Sequence, residues 1–261
     1  MQEVNVFVVD MIKSMHKVLI LLFFWSVVYG EDNKQPAPIR PHHIYFGPEA
    51  FAFNLNTHIK NINIYGLNLF EGLRLRYEYL QPKAIYAGLD LFSAVSTQNF
   101  KAKLDNFSFP SNNHLTGFSN FELRLGYTPS IHKKYSLTPF LGFGGYYFGD
   151  YGDYFHFREI MLYIAAGMRC FFEVNPLFTY GLNWKIFRTF DHEQKFIYKS
   201  NCNITLNNHD NAYGGELGVP FIWRLGTAKR WDVQLEPYFL KLNFSERENI
   251  YGLRLLFGYP F

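Results

Sequence analysis

From Tyr65 to Leu80 the chain reads YGLNLFEGLRLRYEYL, with large apolar residues at nearly every second place: Leu67, Leu69, Leu73, Leu75, Tyr77 and Tyr79. Between them, Asn68, Phe70, Gly72, Arg74, Arg76 and Glu78 form a mixed polar file, and only Glu71 interrupts the apolar one. A period of two is the period of an extended strand, whose successive side chains point to opposite faces. At about 3.3 Å per residue such a strand is longer than most globular strands, and it can cross a membrane when tilted.

The pattern returns along the chain. Ile85, Ala87, Leu89 and Leu91 face Asp90; Phe121, Leu123, Leu125 and Tyr127 face Glu122 and Arg124; Leu162, Ile164, Ala166 and Met168 face Tyr163, Gly167 and Arg169. Phe178, Tyr180, Leu182, Trp184 and Ile186 oppose Asn183 and Lys185. Leu217, Val219, Phe221 and Trp223 then oppose Glu216 and Arg224, and Trp231, Val233, Leu235 and Phe239 oppose Asp232, Gln234 and Glu236. Ten strands are predicted, at 44–57, 65–80, 84–96, 117–129, 137–149, 158–172, 177–190, 212–225, 230–243 and 248–261. Eight and twelve are the neighbouring counts. The first strand is bent by Gly47 and Pro48, and the faces of the fifth, LTPFLGFGGYYFG, are not distinguished by its sequence.

Near the amino terminus, Lys13 and Lys17 precede the apolar run VLILLFFWSVV, which ends before Gly30. This is the layout of a secretory signal peptide (1–30, cut after Gly30), and the run is short for a spanning helix. Glu3 and Asp10 suit such a signal poorly, so Met11 and Met15 are alternative starts. A polar, proline-rich stretch, EDNKQPAPIRPHH (31–43), reads as a flexible periplasmic leader. The rest, 44–261, reads as one domain.

Aromatics make up 20% of the residues and hydrophobics 48%, yet no uninterrupted apolar stretch after the signal is long enough for a helical span. The formal net charge of +3 is too small to argue for nucleic acid. Tyr, Trp and Phe crowd one end of the apolar files, which fits lipid outside and an aromatic girdle at the headgroups. In lipid, backbone groups must be satisfied within the protein, so the strands have to close. The expected fold is all-β: a closed antiparallel up-and-down transmembrane barrel. Its connections alternate in character, with the short QPK, TPSIHKKYS, EVNP and GTAKR against longer polar segments at 97–116, 150–157 and 191–211. Short turns belong in the periplasm and long loops outside.

The chain closes on YGLRLLFGYPF, in which Tyr251, Leu253, Leu255, Phe257, Tyr259 and Phe261 alternate up to the terminal aromatic. This resembles the carboxyl-terminal signature of Gram-negative outer-membrane β-barrel proteins. The resemblance implies an outer-membrane location and recognition of the last strand by the barrel assembly machinery. It identifies a class and not an activity.

Strand parity puts Arg74, Arg76, Arg124, Arg169, Lys185, Arg224 and Arg254 inside, against Glu78, Asp90, Glu122, Glu159, Glu216, Asp232 and Glu236. The two signs balance, and small barrels tend to be filled, so a lumen sealed by ion pairs is favoured over a conducting pore. The pore alternative, a narrow diffusion channel, would be lined by Arg74, Arg76, Arg124 and Arg254 against Glu122, Glu216 and Glu236. Cys170 and Cys202 fall near opposite rims, too far apart for a disulfide.

His58, His114, Asp150, Asp153, His156, Asp191, His192, His209 and Asp210 gather in the expected outer segments. They supply the residue types of an omptin-like protease, which would activate water with a His–Asp dyad, but the omptin pattern is not reproduced. An acyl hydrolase lacks its nucleophilic Ser near a His. Loops are polar in any case, since Asp, Asn and His favour turns. The expectation is a monomeric, non-enzymatic surface protein without cofactor or metal, in contact with outer-membrane lipid. Its outer loops, rich in Asn, Lys and aromatics, would bind a host, matrix or envelope partner.

Overall fold

The structure, a computed structural model, describes residues 41–261 except 60, 98–99, 105–106, 109–114, 130–134, 153–154, 199–204, 209–211, 226–230 and 243–247. The predicted signal peptide and most of the leader lie outside the described residues. Among the described residues every regular element is a strand: β1 (His42–Ile59), β2 (Ile62–Tyr79), β3 (Ala84–Ser96), β4 (Lys101–Leu104), β5 (Phe107–Ser108), β6 (Leu115–Thr128) and β7 (Tyr135–Tyr151). Then follow β8 (Phe155–Asn175), β9 (Phe178–Tyr198), β10 (Thr205–Asn208), β11 (Tyr213–Gly218), β12 (Phe221–Leu225), β13 (Trp231–Lys241) and β14 (Asn249–Pro260).

These close into an antiparallel ring of ten staves, as the spacing predicts: β1, β2, β3, β6, β7, β8, β9, the pair β11 and β12, β13 and β14, with β14 returning to β1. The end of the chain seals the ring. Phe261 N–H donates to the His42 carbonyl (2.8 Å), and His42 N–H donates to the Phe261 carbonyl (3.3 Å). Following register partners round the ring from His42, through Tyr79, Ala87, Leu125, Leu141, Ala166, Ile186, Gly215, Lys241 and Asn249, returns to β1 at Asn54, twelve residues further on. That stagger is what tilts the strands of a closed barrel.

Two departures from simple alternation have physical causes. Pro220 has no N–H and splits one stave into β11 and β12. The stave nonetheless keeps one register, held by Gly181 N–H to the Pro220 carbonyl (2.8 Å) and Val219 N–H to the Pro237 carbonyl (3.0 Å). In β9 the register against β8 shifts by one at Phe190, a β-bulge. Below it Lys185, Phe187 and Thr189 are buried; above it His192, Gln194 and Phe196 are. The sequence reading ended the strand at residue 190 because the bulge breaks the period, whereas β9 runs on to Tyr198. Likewise most of the segment 150–157 predicted as a loop belongs to β7 and β8, and β1 begins at His42, inside the predicted leader.

The burial pattern is inverted relative to a soluble protein. Ile85 and Leu141 are 66% and 69% exposed on the outer wall, while Arg76 and Asp90 inside are 2% and 1% exposed. In a membrane the outer wall faces hydrocarbon and gains by it.

Candidate functional site: a lumen closed in two layers

The lower layer is ionic. Arg74 and Arg76 of β2 point inward on the parity opposite to Leu73, Leu75 and Tyr77, and meet carboxylates from both sides of the ring. Arg74 pairs with Glu49 of β1 and Asp90 of β3, and Arg76 with Asp90 (2.9 Å) and Glu236 (3.2 Å). Arg254 reaches Glu216 (2.6 Å), Glu236 (3.3 Å) and Glu49 (3.4 Å). Lys185 bridges Glu122 and Glu216 (3.1 Å), Arg124 pairs with Glu122 and lies 3.6 Å from Asp90, and Arg169 pairs with Glu78.

Six cations thus face six carboxylates in one connected layer, and neutral donors fill the remaining acceptor positions. Tyr163 donates its hydroxyl to Glu122 (2.6 Å), and Asn183 and Gln234 donate amides to Glu236 (3.1 and 2.9 Å). Room for the Tyr163 ring comes from Gly144 of β7, where a Cβ would strike its hydroxyl end. Buried charge persists only when paired and hydrogen-bonded, and here the pairing leaves little space. Among the described residues, voids of about 10 and 20 Å³ are both bordered by Arg124 and Lys185, each with room for about one water.

The upper layer is aromatic. Moving outward along β1, Glu49 is followed on the same face by Phe51, Phe53 and Leu55; on β3, Asp90 by Phe92; on β6, read outward, Glu122 by Phe118. Phe70, Phe100, Phe148, Phe155, Phe157 and Phe196 complete a buried cluster with Tyr146, Tyr163 and Phe187. Phe51 stacks on Phe70 at 4.9 Å between ring centres, and Phe53 meets Phe148 edge to face at 5.2 Å. Arg74 joins the layers, its guanidinium 4.8 Å from the Phe92 ring.

Sequence parity places most of the expected lumen charges in one network but gives no face to the first strand, bent at Gly47 and Pro48, and so misses Glu49. Three of the named residues stand apart. Asp232 is buried at the end of the barrel where the chain's last strand closes on β1, 3.5 Å from the Tyr45 hydroxyl and 3.7 Å from His43. Arg224, expected among the lumen charges, is half-exposed at the rim beside the β8–β9 turn and donates to Glu173 (3.3 Å) and the Pro176 carbonyl (3.4 Å), because the adjacent turn offers a closer acceptor than the lumen. Glu159 lies inside the aromatic layer, where His192 Nε2 is 2.6 Å from its Oε1 and Gln194 donates to the same oxygen (2.9 Å).

Of the histidines and aspartates expected at the rim, His114, Asp153, His209 and Asp210 lie outside the described residues, as does Cys202; Cys170 is a free thiol. Asp150 is buried and accepts from Thr116 (2.9 Å), while Asp191 is exposed on the outer wall. His192 of that group contacts Glu159, and both are almost without exposure. The terminal file Tyr251, Phe257, Tyr259 and Phe261 is exposed on the outer wall, with Leu253 and Leu255 packed beside Phe178, Trp223 and Leu235.

No family model and no curated protein matches the sequence. Among solved structures the chain is similar to the outer membrane protease OmpT from Escherichia coli, with 8% identity, 88% of this chain and 99% of that chain covered, and a TM-score of 0.61. It is also matched to the translocator domain of the autotransporter NalP from Neisseria meningitidis (10% identity, 95% and 97% covered, TM-score 0.48). A third match is Ail, the attachment invasion locus protein of Yersinia pestis (11% identity, 85% and 100% covered, TM-score 0.39). At such identities the likeness to OmpT is one of fold, that of a ten-stave outer-membrane β-barrel.

Proposed function

We propose that this chain is a sealed, non-enzymatic outer-membrane surface protein: a rigid plugged barrel that carries outer segments able to bind a host, matrix or envelope partner. The observation that carries this reading is the two-layered closure of the lumen. The residues that would line a narrow channel, Arg74, Arg76, Arg124 and Arg254 with Glu122, Glu216 and Glu236, are paired with one another and with Glu49 and Asp90. A path past them would meet the aromatic layer next. The enzymatic reading is weaker, because His192 is buried against Glu159 and Gln194 with no room for a substrate.

Single-channel recording of the purified, folded barrel in a planar bilayer tests this. Wild type and Arg124→Ala are both expected to be electrically silent, and a reproducible conductance that changes with the substitution would make the protein a selective pore. Exchange of the segments between β5 and β6 and between β9 and β10 for short Gly-Ser linkers should then abolish surface binding while the barrel stays folded.

The exposed terminal file is assigned to engagement of the barrel assembly machinery during insertion. Deleting Phe261 removes both the last ring and the backbone pair with His42. It is expected to lower the folded outer-membrane fraction several-fold in cells while refolding in detergent is largely preserved. Equal losses in both assays would point to stability instead of recognition.

A further inference from the structure

Where β14 closes on β1, one carboxylate is left over from the ionic layer. Asp232 of β13 is 3% exposed, and among the described residues its charged contact is His43 and not an arginine or lysine. Arg224, its register partner on β12, turns away to Glu173, while Arg169 is held by Glu78 and Arg76 by Asp90 and Glu236. One oxygen of Asp232, Oδ1, has no hydrogen-bond partner, and Oδ2 has the Tyr45 hydroxyl at 3.5 Å. A buried carboxylate so poorly met is costly and calls for a proton or a cation.

Facing it is an imidazole. His43 shares the inward parity of β1 with Tyr45, and its Nδ1, also without a hydrogen-bond partner, lies 3.7 Å from Asp232 Oδ2. Gly258 of β14 is the register partner of both Tyr45 and Asp232, and a Cβ there would strike the Tyr45 ring and crowd Asp232. The glycine thus lets side chains of β1 and β13 converge across β14. The His43 ring runs almost parallel to that of Tyr45, 6° between planes and 6.0 Å between centres. A separation of 3.7 Å is too long for a hydrogen bond, yet two atoms so placed and each about 2.1 Å from a metal would subtend about 125°, near the tetrahedral angle. His43 keeps 22% of its side chain accessible, so an ion can enter, and Asp232 at 4% supplies the dry, anionic half. Among the described residues no third His, Cys, Asp or Glu joins them, which leaves the other positions to water and to the Tyr45 hydroxyl.

We propose that His43 and Asp232, with Tyr45 beside them, form a binding site for a divalent transition-metal ion of the zinc type. An imidazole nitrogen with a carboxylate oxygen suits Zn²⁺ or Co²⁺, whereas Mg²⁺ and Ca²⁺ take shells of oxygen. Structural zinc sites have four protein ligands, so an ion held by two is exchangeable. Its effect is local: it neutralises the carboxylate that the lumen cations leave unmatched and ties β1 to β13 across the seam that closes the ring.

The full chain, made without a histidine tag, folded in neutral detergent and stripped with a chelator, is titrated with Zn²⁺ by calorimetry and with Co²⁺ by visible absorption. A saturable site is expected that His43→Ala and the isosteric Asp232→Asn each weaken roughly tenfold or more. Zn²⁺ should raise the unfolding midpoint of wild type and of neither variant, and Mg²⁺ should not compete. His58→Ala, which removes an exposed histidine at the other end of β1, should leave the titration unchanged. Absence of Zn²⁺ uptake by folded wild type would overturn the proposal and leave a plain His43–Asp232 ion pair. Full uptake by the His43→Ala/Asp232→Asn double variant would overturn it as an adventitious ion only, and equal displacement by Mg²⁺ would overturn the imidazole ligand. Heat-modifiable gel migration of every variant separates loss of the site from loss of the barrel, and the wild-type titration decides against the site whatever the stability of the variants.

Discussion

Replacing Glu122 with glutamine is expected to destabilise the folded barrel by about 3–5 kcal/mol, the cost of stranding buried charge when one partner is removed. Glu122 has no exposed surface, pairs with Arg124 and Lys185, and accepts the Tyr163 hydroxyl. After the substitution Lys185 keeps Glu216 at 3.1 Å and Arg124 keeps the longer contact to Asp90 at 3.6 Å, so the layer carries one surplus positive charge with room for only about a water or two to screen it. The shape of the side chain is preserved, so little of the loss is due to packing. Urea unfolding in detergent micelles measures it as a shift of the midpoint. The double variant Glu122→Gln/Lys185→Met removes the surplus and should recover part of the loss, which a purely steric defect would not do. By contrast, Glu193→Gln breaks the rim pair with Arg158, whose partners are 31% and 39% exposed, and should cost under about 1 kcal/mol. A loss at Glu122 no larger than that would mean water reaches the ionic layer, and the sealed lumen would fall with it.

The architecture was legible because lipid and lumen impose opposite chemistry on alternate residues, so parity along β2, β3, β6, β8 and β9 separates Leu75 from Arg76 and Leu123 from Arg124 without knowledge of neighbours. It failed where both faces are apolar. In β1, bent at Gly47 and Pro48, parity assigned no face; Glu49, Phe51, Phe53 and Leu55 form its inner file, because the outer half of the lumen is filled with rings. In β7 the glycines leave neither file a character in the sequence; the burial of Phe140, Tyr146 and Phe148, with Gly144 packed against Tyr163, identifies the inner face. The inward placement of Phe70 was visible, since it shares parity with Arg74 and Arg76, as was that of Tyr163, which shares parity with Arg169; both belong to the aromatic layer.

Which charge meets which could not be read from one sequence. Arg169 and Glu78 are 91 residues apart, and they meet only because the staggered ring brings β8 opposite β2. The register shift at Phe190 is equally silent: it turns His192 inward toward Glu159, whereas an unbroken period puts the whole stretch after 190 into a loop. A bulge has no residue signature here that parity alone could supply.

The aromatic layer leads to the second large effect. Phe53→Ala is expected to cost about 3–5 kcal/mol, because the ring it removes is fully buried and its neighbours are held by the barrel wall and cannot collapse into the space. Phe53 lies edge to face with Phe148 at 5.2 Å and with Phe100 and Phe118 at 6.0 Å, and near Phe70 at 6.2 Å. Each of those rings loses a partner at once. Leu123→Ala on the outer wall, where the side chain is 51% exposed to lipid, should cost far less, since acyl chains refill the surface it vacates. Comparison of the two by urea unfolding in the same vesicles therefore reads which side of the wall is close-packed. The Phe53 variant should also remain electrically silent, because the paired layer beneath it is untouched. A conductance appearing with Phe53→Ala alone would show that the rings, and not the ion pairs, close the barrel, and Glu122 would then matter for stability without sealing anything.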